Sequence, residues 1–278
     1  MCLPGFFAAR GKGIMMKTLR NLGTLARLCA TQTFDGGVLY VLSGYALRLF
    51  KLVVLVLIWR SLFAGGADTG GMAVGQVLTY SLLSAVFTDQ LNVVTPASMS
   101  FWEGSLINRY QRPLAVLPQI VAETVGRWLP TLIICTLPTV LLAVALGVPL
   151  GPASALHGVF FVVSLGLAMS LGFALDFLFT ALAVRLKDAG WLAHTIRNAI
   201  TNLFSGAVIP FALLPWGLGA VLEWLPFGSV AGAPLSIYVG VGEPGRLIAL
   251  QALWNLALWP LALLAFRKSA ERMVSFGG

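Results

Sequence analysis

Charge is what this sequence has least of. Asp, Glu, Lys and Arg make up 10% of its 278 residues, against 58% hydrophobic residues, where a soluble domain carries roughly 25% charged residues. So few charges cannot cover a water-facing surface, which excludes a soluble globular enzyme and leaves the hydrocarbon of a bilayer as the solvent. Histidine is almost missing. His157 and His194 fall at opposite ends of different apolar runs, so neither completes a serine-type intramembrane site with the other. No His-Glu-x-x-His is present, which removes a zinc-protease helix, and no Gly-x-x-x-x-Gly-Lys-Ser/Thr, which removes a P-loop for ATP. A potassium-type filter is also lacking. Cys2, Cys29 and Cys135 are odd in number and have no metal-ligand spacing, so they read as free thiols. The first sixteen residues carry Arg10 and Lys12 without an apolar core and small-residue cleavage site. They are expected to be an N-terminal tail rather than a cleaved signal, with Met15 or Met16 as alternative starts.

Long apolar runs are what the sequence has in plenty. A span needs about 20 such residues, and six are expected, over 40–63, 74–97, 121–147, 155–182, 191–208 and 246–266. Ahead of them, residues 17–35 place Leu19, Leu22, Ala26 and Cys29 on one helical side and Arg20, Thr24, Arg27 and Thr31 on the other. Such a segment is too short and too polar to span. It reads as an amphipathic helix lying in the membrane interface, or as a plain leader into the first span. Residues 210–244 are apolar but broken by Pro210, Pro215, Pro226, Pro234 and Pro244. Each interior proline costs a helix about 3 kcal/mol, so short helices that dip into the outer leaflet and return are expected there.

The bases orient the chain. Arg10, Lys12, Lys17, Arg20, Arg27, Arg48, Lys51, Arg109, Arg112, Arg127, Arg185, Lys187, Arg197, Arg267, Lys268 and Arg272 fall on one side of a six-span topology, and only Arg60 and Arg246 on the other. The crowded side is therefore expected to be cytoplasmic, with both termini on it. Arg48 and Lys51, in the first half of the first span, are expected to snorkel to the headgroups. Trp59, Trp216 and Trp224 are expected near the outer interface and Trp191 near the inner one. Bases clustered between apolar runs speak for a membrane surface and against nucleic acid.

Few residues are left to carry chemistry. Asp89, Glu123 and Asp176 lie in or near spans, where charge is costly and marks function or a partner. Glu123 and Arg127 stand i,i+4 with the acid N-terminal, the favourable order for an ion pair. Asp89, beside Thr88, Gln90 and Asn92, and Asp176 read as buried contacts between helices or as a proton relay. The polar interval Ser98–Pro118 contains Trp102-Glu103-Gly104-Ser105-Leu106-Ile107-Asn108-Arg109-Tyr110-Gln111-Arg112-Pro113. Its mixed charge and aromatics suit a short helix on the cytoplasmic surface, stopped by Pro113, serving either as a loop helix against lipid phosphates or as a docking surface.

That stretch resembles the cytoplasmic coupling segment of type 2 export permeases of the ATP-binding-cassette (ABC) transporters. Glu103, Gly104, Arg112 and Pro113 stand where those permeases have Glu-Gly and Arg-Pro. A second stretch is similar to the sequence that leads through their extracellular re-entrant helices to the last span: Ser205-Gly206-Ala207-Val208-Ile209-Pro210, then Leu214-Pro215, Leu225-Pro226-Phe227 and Ala233-Pro234. The likeness covers residues 17–270, expected as one permease domain followed by a cytoplasmic tail, 271–278.

The resemblance implies an all-α, polytopic, non-catalytic subunit of an inner-membrane exporter. It implies two cytoplasmic ATPase subunits that hold ATP and Mg, a second permease of the same or a related kind, contact with membrane lipid, and no cofactor in this chain. Glu103, Gly104, Asn108, Arg109, Arg112 and Pro113 would couple to the ATPase. Gly206, Pro210, Pro215, Pro226 and Pro234 would form the outer gate, and Asp89, Glu123, Arg127 and Asp176 the translocation path or its polar contacts. Substrates typical of the superfamily are lipid-like, glycolipid or drug-like. The alternative is a self-contained, proton-coupled carrier using Asp89 and Asp176.

Overall fold

The computed structural model describes residues 4–32, 35, 38–66, 70–103, 105–185 and 190–275. Among these the secondary structure is helical: α1 (Pro4–Gln32), α2 (Val38–Ala64), α3 (Val74–Val86), α4 (Thr88–Leu91), α5 (Ala97–Trp102), α6 (Leu106–Tyr110), α7 (Val116–Ala145), α8 (Ala155–Arg185), α9 (Gly190–Phe204), α10 (Leu218–Trp224), α11 (Gly232–Val239) and α12 (Pro244–Ser275). Four segments within α2, α7, α8 and α12 are long and apolar enough to cross a membrane: Leu42–Ala64, Val116–Ala145, Ala155–Val184 and Pro244–Glu271. The chain is thus an all-α, multi-pass membrane protein.

Side-chain bridges give the direction of each helix. Arg48 reaches Asp89, and the Trp59 indole donates to Ser81 Oγ at 3.0 Å, so α3 and α4 run back along α2. Arg60 donates to the Leu146 carbonyl at the end where α3 begins. At that same end Thr79 donates to the Pro149 carbonyl at 2.7 Å and Gln76 to that of Val239 at 2.9 Å. Between α8 and α12 the bridges climb in step: Ser164 to Gln251, Asn255 to the Leu167 carbonyl, Trp259 to Ser170, Ser269 to the Ala181 carbonyl. These two helices are parallel. The chain between them must therefore return the full height of the bundle, and α9 with the segment after it makes that return.

The second expected span is not one helix. After α3 the chain turns at Phe87, makes the single turn α4, and runs without helical structure through Val93–Thr95 before α5. Thr95 precedes Pro96, whose ring disfavours helical backbone at the residue before it. Val93 and Val94 are β-branched and favour extended backbone. The extended turn fits because Gly172 on α8 has no side chain there; a Cβ would stand 2.5 Å from Val93 Cγ2. The third helix starts at Val116 rather than at 121, and the sixth spans Pro244–Ser275 rather than 246–266. α9 has 15 residues, about 22 Å of helix, less than the roughly 30 Å of hydrocarbon.

α1 extends well beyond the expected 17–35 towards the N-terminus and packs along α7. Its packed face reads Leu22, Leu25, Ala26 and Cys29, while Leu19, expected on that side, is exposed. The two backbones touch at Gly126, where a Cβ would sit 2.2 Å from the Ala26 carbonyl oxygen. Trp59 is buried where α2 meets α3. Cys2, Asp68, Gly104, Lys187 and Asp188 lie outside the described residues, as do the side chains of Arg10, Lys12, Trp102, Arg185, Trp191, His194 and Arg272.

After α9 the chain runs as short helices, as the prolines led one to expect. Gly206 takes φ +76°, and its carbonyl accepts from the buried Tyr80 hydroxyl at 2.7 Å. Two 3-10 turns, at Phe211–Leu213 and Pro215–Gly217, lead into α10, and a turn then lowers the chain into the bundle. Gly232 N–H donates to the Ser205 carbonyl at 2.7 Å, and Gln251 donates to the Ser229 carbonyl at 2.8 Å. The buried α11 climbs back to Gly240, beside Ala153. Pro210 and Pro234 are buried in this hairpin, Pro226 is half-buried, and Pro215 opens the exposed second 3-10 turn.

Candidate functional site

Three acids, each paired with arginine, gather at the end of the bundle opposite Arg60 and Gly240. Arg48 grips Asp89 with both guanidinium nitrogens, at 2.8 and 3.2 Å. The extended turn between α4 and α5 brings the second together. Thr95 donates to Asp176 Oδ2 through its N–H at 3.2 Å and also through its hydroxyl, while Arg197 on α9 stands 3.1 Å from Asp176 Oδ1. Arg197 also donates to the Val93 carbonyl and, at 3.4 Å, to Asn92 Oδ1. Arg197 and Asp176 are 3% and 1% exposed. One arginine thus stands in ion-pair contact with a buried acid on α8 and donates to the Val93 carbonyl in the break of the helix.

Glu123 holds the third. Its carboxylate meets Arg109 of α6 at 2.7 Å and Arg112 at 3.7 Å. The expected Glu123–Arg127 pair is therefore corrected: the acid faces the loop, and Arg127 is exposed on another side of α7. Positions i and i+4 share a face in general. Here Glu123 points inward, where Arg109 reaches it first. Arg109 also donates to Ser100 Oγ at 3.2 Å, and the buried Gln119 amide donates to the carbonyls of Arg109 and Leu114 at 3.0 and 2.8 Å. Residues 100–114 are thereby fastened to the first two turns of α7.

Below that polar clasp lies an apolar one. Phe101 and Leu106 are buried with Val116, Ile120, Phe177 and Phe266, and the Phe101 and Phe266 rings meet edge to face at 5.3 Å. The segment therefore rests on α7, α8 and α12 together. What it turns outward is mixed: Glu103, Asn108, Gln111 and Arg112 are exposed, with Met99, Tyr110 and Pro113 beside them. The expected helix between Ser98 and Pro113 is two short ones, α5 and α6, and α6 ends ahead of Pro113.

Residues 49–277 match the family model described as ABC-2 family transporter protein. The chain belongs to the ABC-2 family of transporter proteins. This ABC-2 permease is thus a membrane transport component of an ABC exporter, of a kind that is generally non-catalytic and associates with an ATP-binding component. No curated protein matches it. The match takes in α3 to α12 and the part of α2 that follows Arg48, and leaves α1 outside.

Sequence reasoning placed Asp89, Glu123 and Asp176 among the polar contacts but missed their partners. Arg48, which it sent to the headgroups, binds Asp89, and Arg197, which it used only to orient the chain, binds Asp176. Each pair is separated by 21 to 41 residues in the chain, and no local spacing signals it. His157 belongs to a helix start: its Nδ1 shares a hydrogen bond with Ser154 Oγ at 2.8 Å, and its N–H donates to the same oxygen at 3.3 Å.

Proposed function

We propose that residues 17–270 form the permease of an ABC exporter that crosses the inner membrane six times, with both termini and the ion-pair end of the bundle in the cytoplasm. The parallel run of α8 and α12 supports the fifth crossing by α9. The basic residues at the ion-pair end support its cytoplasmic side. Residues 1–16 and 271–278 then lie on the cytoplasmic side, and α1 lies along the inner surface.

The exposed polar rim of α5 and α6, clasped from behind by Glu123 and Gln119, is the observation that carries this reading. A surface that passes force between an ATPase and membrane helices has to be both accessible and stiffly joined to those helices. Glu103, Gly104, Asn108, Arg109, Arg112 and Pro113 make up this coupling segment in our reading. Glu103, Asn108, Arg112 and Pro113 face outward, and Arg109 forms the joint to α7. Two ATPase subunits would dock there, carrying the ATP and Mg, and a second permease, identical or related, would complete the pathway. The hairpin of Gly206, Pro210, Pro215, Pro226 and Pro234 would stand at the outer mouth of that pathway. The exposed apolar residues of the hairpin, among them Val208, Ile209, Trp216, Val221 and Trp224, suit a lipid-like, glycolipid or drug-like substrate. A proton-coupled carrier would need Asp89 and Asp176, but each is already engaged by an arginine, an arrangement that supports a structural use.

Purification in mild detergent from native membranes, followed by mass spectrometry, tests the reading. A soluble ATPase in stoichiometric amount is expected, together with one or two kinds of permease. A protein that stays free of any ATPase at low salt would overturn it.

A further inference from the structure

Between the end of α1, the turn 88–94 and the face of α7 that carries Arg127 lies an open cleft of about 470 Å³, within the size range of sites for small molecules. The proposed coupling surface and the hairpin are built from other residues. The hydrogen-bond inventory of this cleft is lopsided. Asp89 stands in its wall, but both of its oxygens are taken by Arg48 from α2. Thr88 and Thr131 spend their hydroxyl protons on carbonyls of the preceding turn. What remains in the lining is led by the guanidinium of Arg127, with Trp128, Gln32 and Asn92, each of which carries at least one side-chain N–H. Arg127 is exposed, and among the described residues no carboxylate lies within ion-pair distance of it. The Asn92 oxygen already accepts from Arg197, which leaves its amide hydrogens for another acceptor.

Depth narrows the ligand. α7 has 30 residues, about 45 Å of helix, whereas the hydrocarbon is roughly 30 Å thick. The last twenty residues or so suffice to cross it, which puts Arg127 and Trp128 at the level of the headgroups. Arginine beside tryptophan at that level suits a phosphate below bulk water and above the acyl chains.

We propose that this cleft binds a phosphate-bearing anion, with the headgroup of an anionic phospholipid as the source that its depth favours and soluble phosphate as the other. The leaflet rests on the topology proposed above; the anion chemistry rests on the cleft alone and needs no ATPase partner.

The test uses the full chain in detergent, titrated with phosphatidylglycerol, phosphatidylcholine or inorganic phosphate, and read by native mass spectrometry and by thermal melting. Wild type is expected to retain phosphatidylglycerol at least tenfold more tightly than phosphatidylcholine. Arg127→Gln should lose that preference, and Arg267→Gln, an exposed base on α12, should keep it. Inorganic phosphate that raises the melting point of wild type but not of Arg127→Gln, and displaces the lipid, would assign the site to soluble phosphate compounds. If Arg127→Gln melts early without lipid, Gln32→Leu decides in its place, with the same loss of preference expected. Equal retention of both lipids by wild type, or undiminished retention by the cleft variants with no response to phosphate, would overturn the proposal.

Discussion

Arg197 on α9 stands 3.1 Å from Asp176 on α8, with both side chains shut away from solvent. Removing one member strands a charge, which typically costs about 3–5 kcal/mol, whereas removing both is often tolerated. Arg197→Leu and Asp176→Leu are each expected to lower the melting temperature sharply. Asp176→Leu/Arg197→Leu should regain most of the loss, apart from what Thr95 and the Val93 carbonyl forfeit. Additive losses in the double variant would show that the two residues do not act as a pair.

Glu123 is assigned to the α6 loop rather than to Arg127. Glu123→Gln is expected to weaken the clasp by about 1.5–3 kcal/mol, the worth of a charged hydrogen bond, and to raise amide exchange in residues 105–114. Arg127→Gln should leave that exchange unchanged. The reverse ranking would restore the i,i+4 pair.

Glu103 is exposed at the end of α5 and makes no ion pair among the described residues. Glu103→Arg should therefore fold and melt like wild type. If the polar rim is the docking surface, the variant should lose at least tenfold in ATPase binding, or hydrolyse ATP without transport; a central interface residue is worth about 2 kcal/mol or more. Unchanged assembly and transport would move the docking site elsewhere.

Gly126 lets α1 lie on α7. A Cβ there would come 2.2 Å from the Ala26 carbonyl oxygen, and backbone cannot yield as a flexible side chain can. Gly126→Ala is expected to cost about 1–3 kcal/mol, as overpacking does, and to make α1 accessible to protease. Protection equal to wild type would mean that the two helices part without strain.

Cys29 faces α7 from α1, and burial pushes its thiol above the ordinary range, with the Glu123 charge adding to the effect. A raised thiol pKa leaves less thiolate at a given pH. In a Cys2→Ser background, Cys29 should label with maleimide near pH 7.5 at least tenfold more slowly than a cysteine placed at exposed Thr31, and the rate should climb with pH beyond the point where the exposed thiol levels off. Equal rates would contradict the burial.

The class of this protein was legible from composition and periodicity. Ten per cent charge with long apolar runs leaves only a membrane as solvent, and five prolines from 210 to 244 together disfavour one continuous helix there, because those effects act within a single segment. The segment we propose for coupling was legible only as a resemblance, through Glu103, Arg112 and Pro113. Partnership was not. Arg48–Asp89, Arg109–Glu123 and Arg197–Asp176 join helices or a loop and a helix that are remote or folded back on each other. Which base meets which acid depends on how the helices cross and on the empty space left by Gly126 and Gly172, which lets the backbones of α1 and α7, and the 92–95 turn and α8, approach. Even the helix break at 92–95 needed both levels: Pro96 and its β-branched neighbours make it permissible, and Arg197 and Asp176, arriving from other helices, satisfy the backbone and side chains that it exposes.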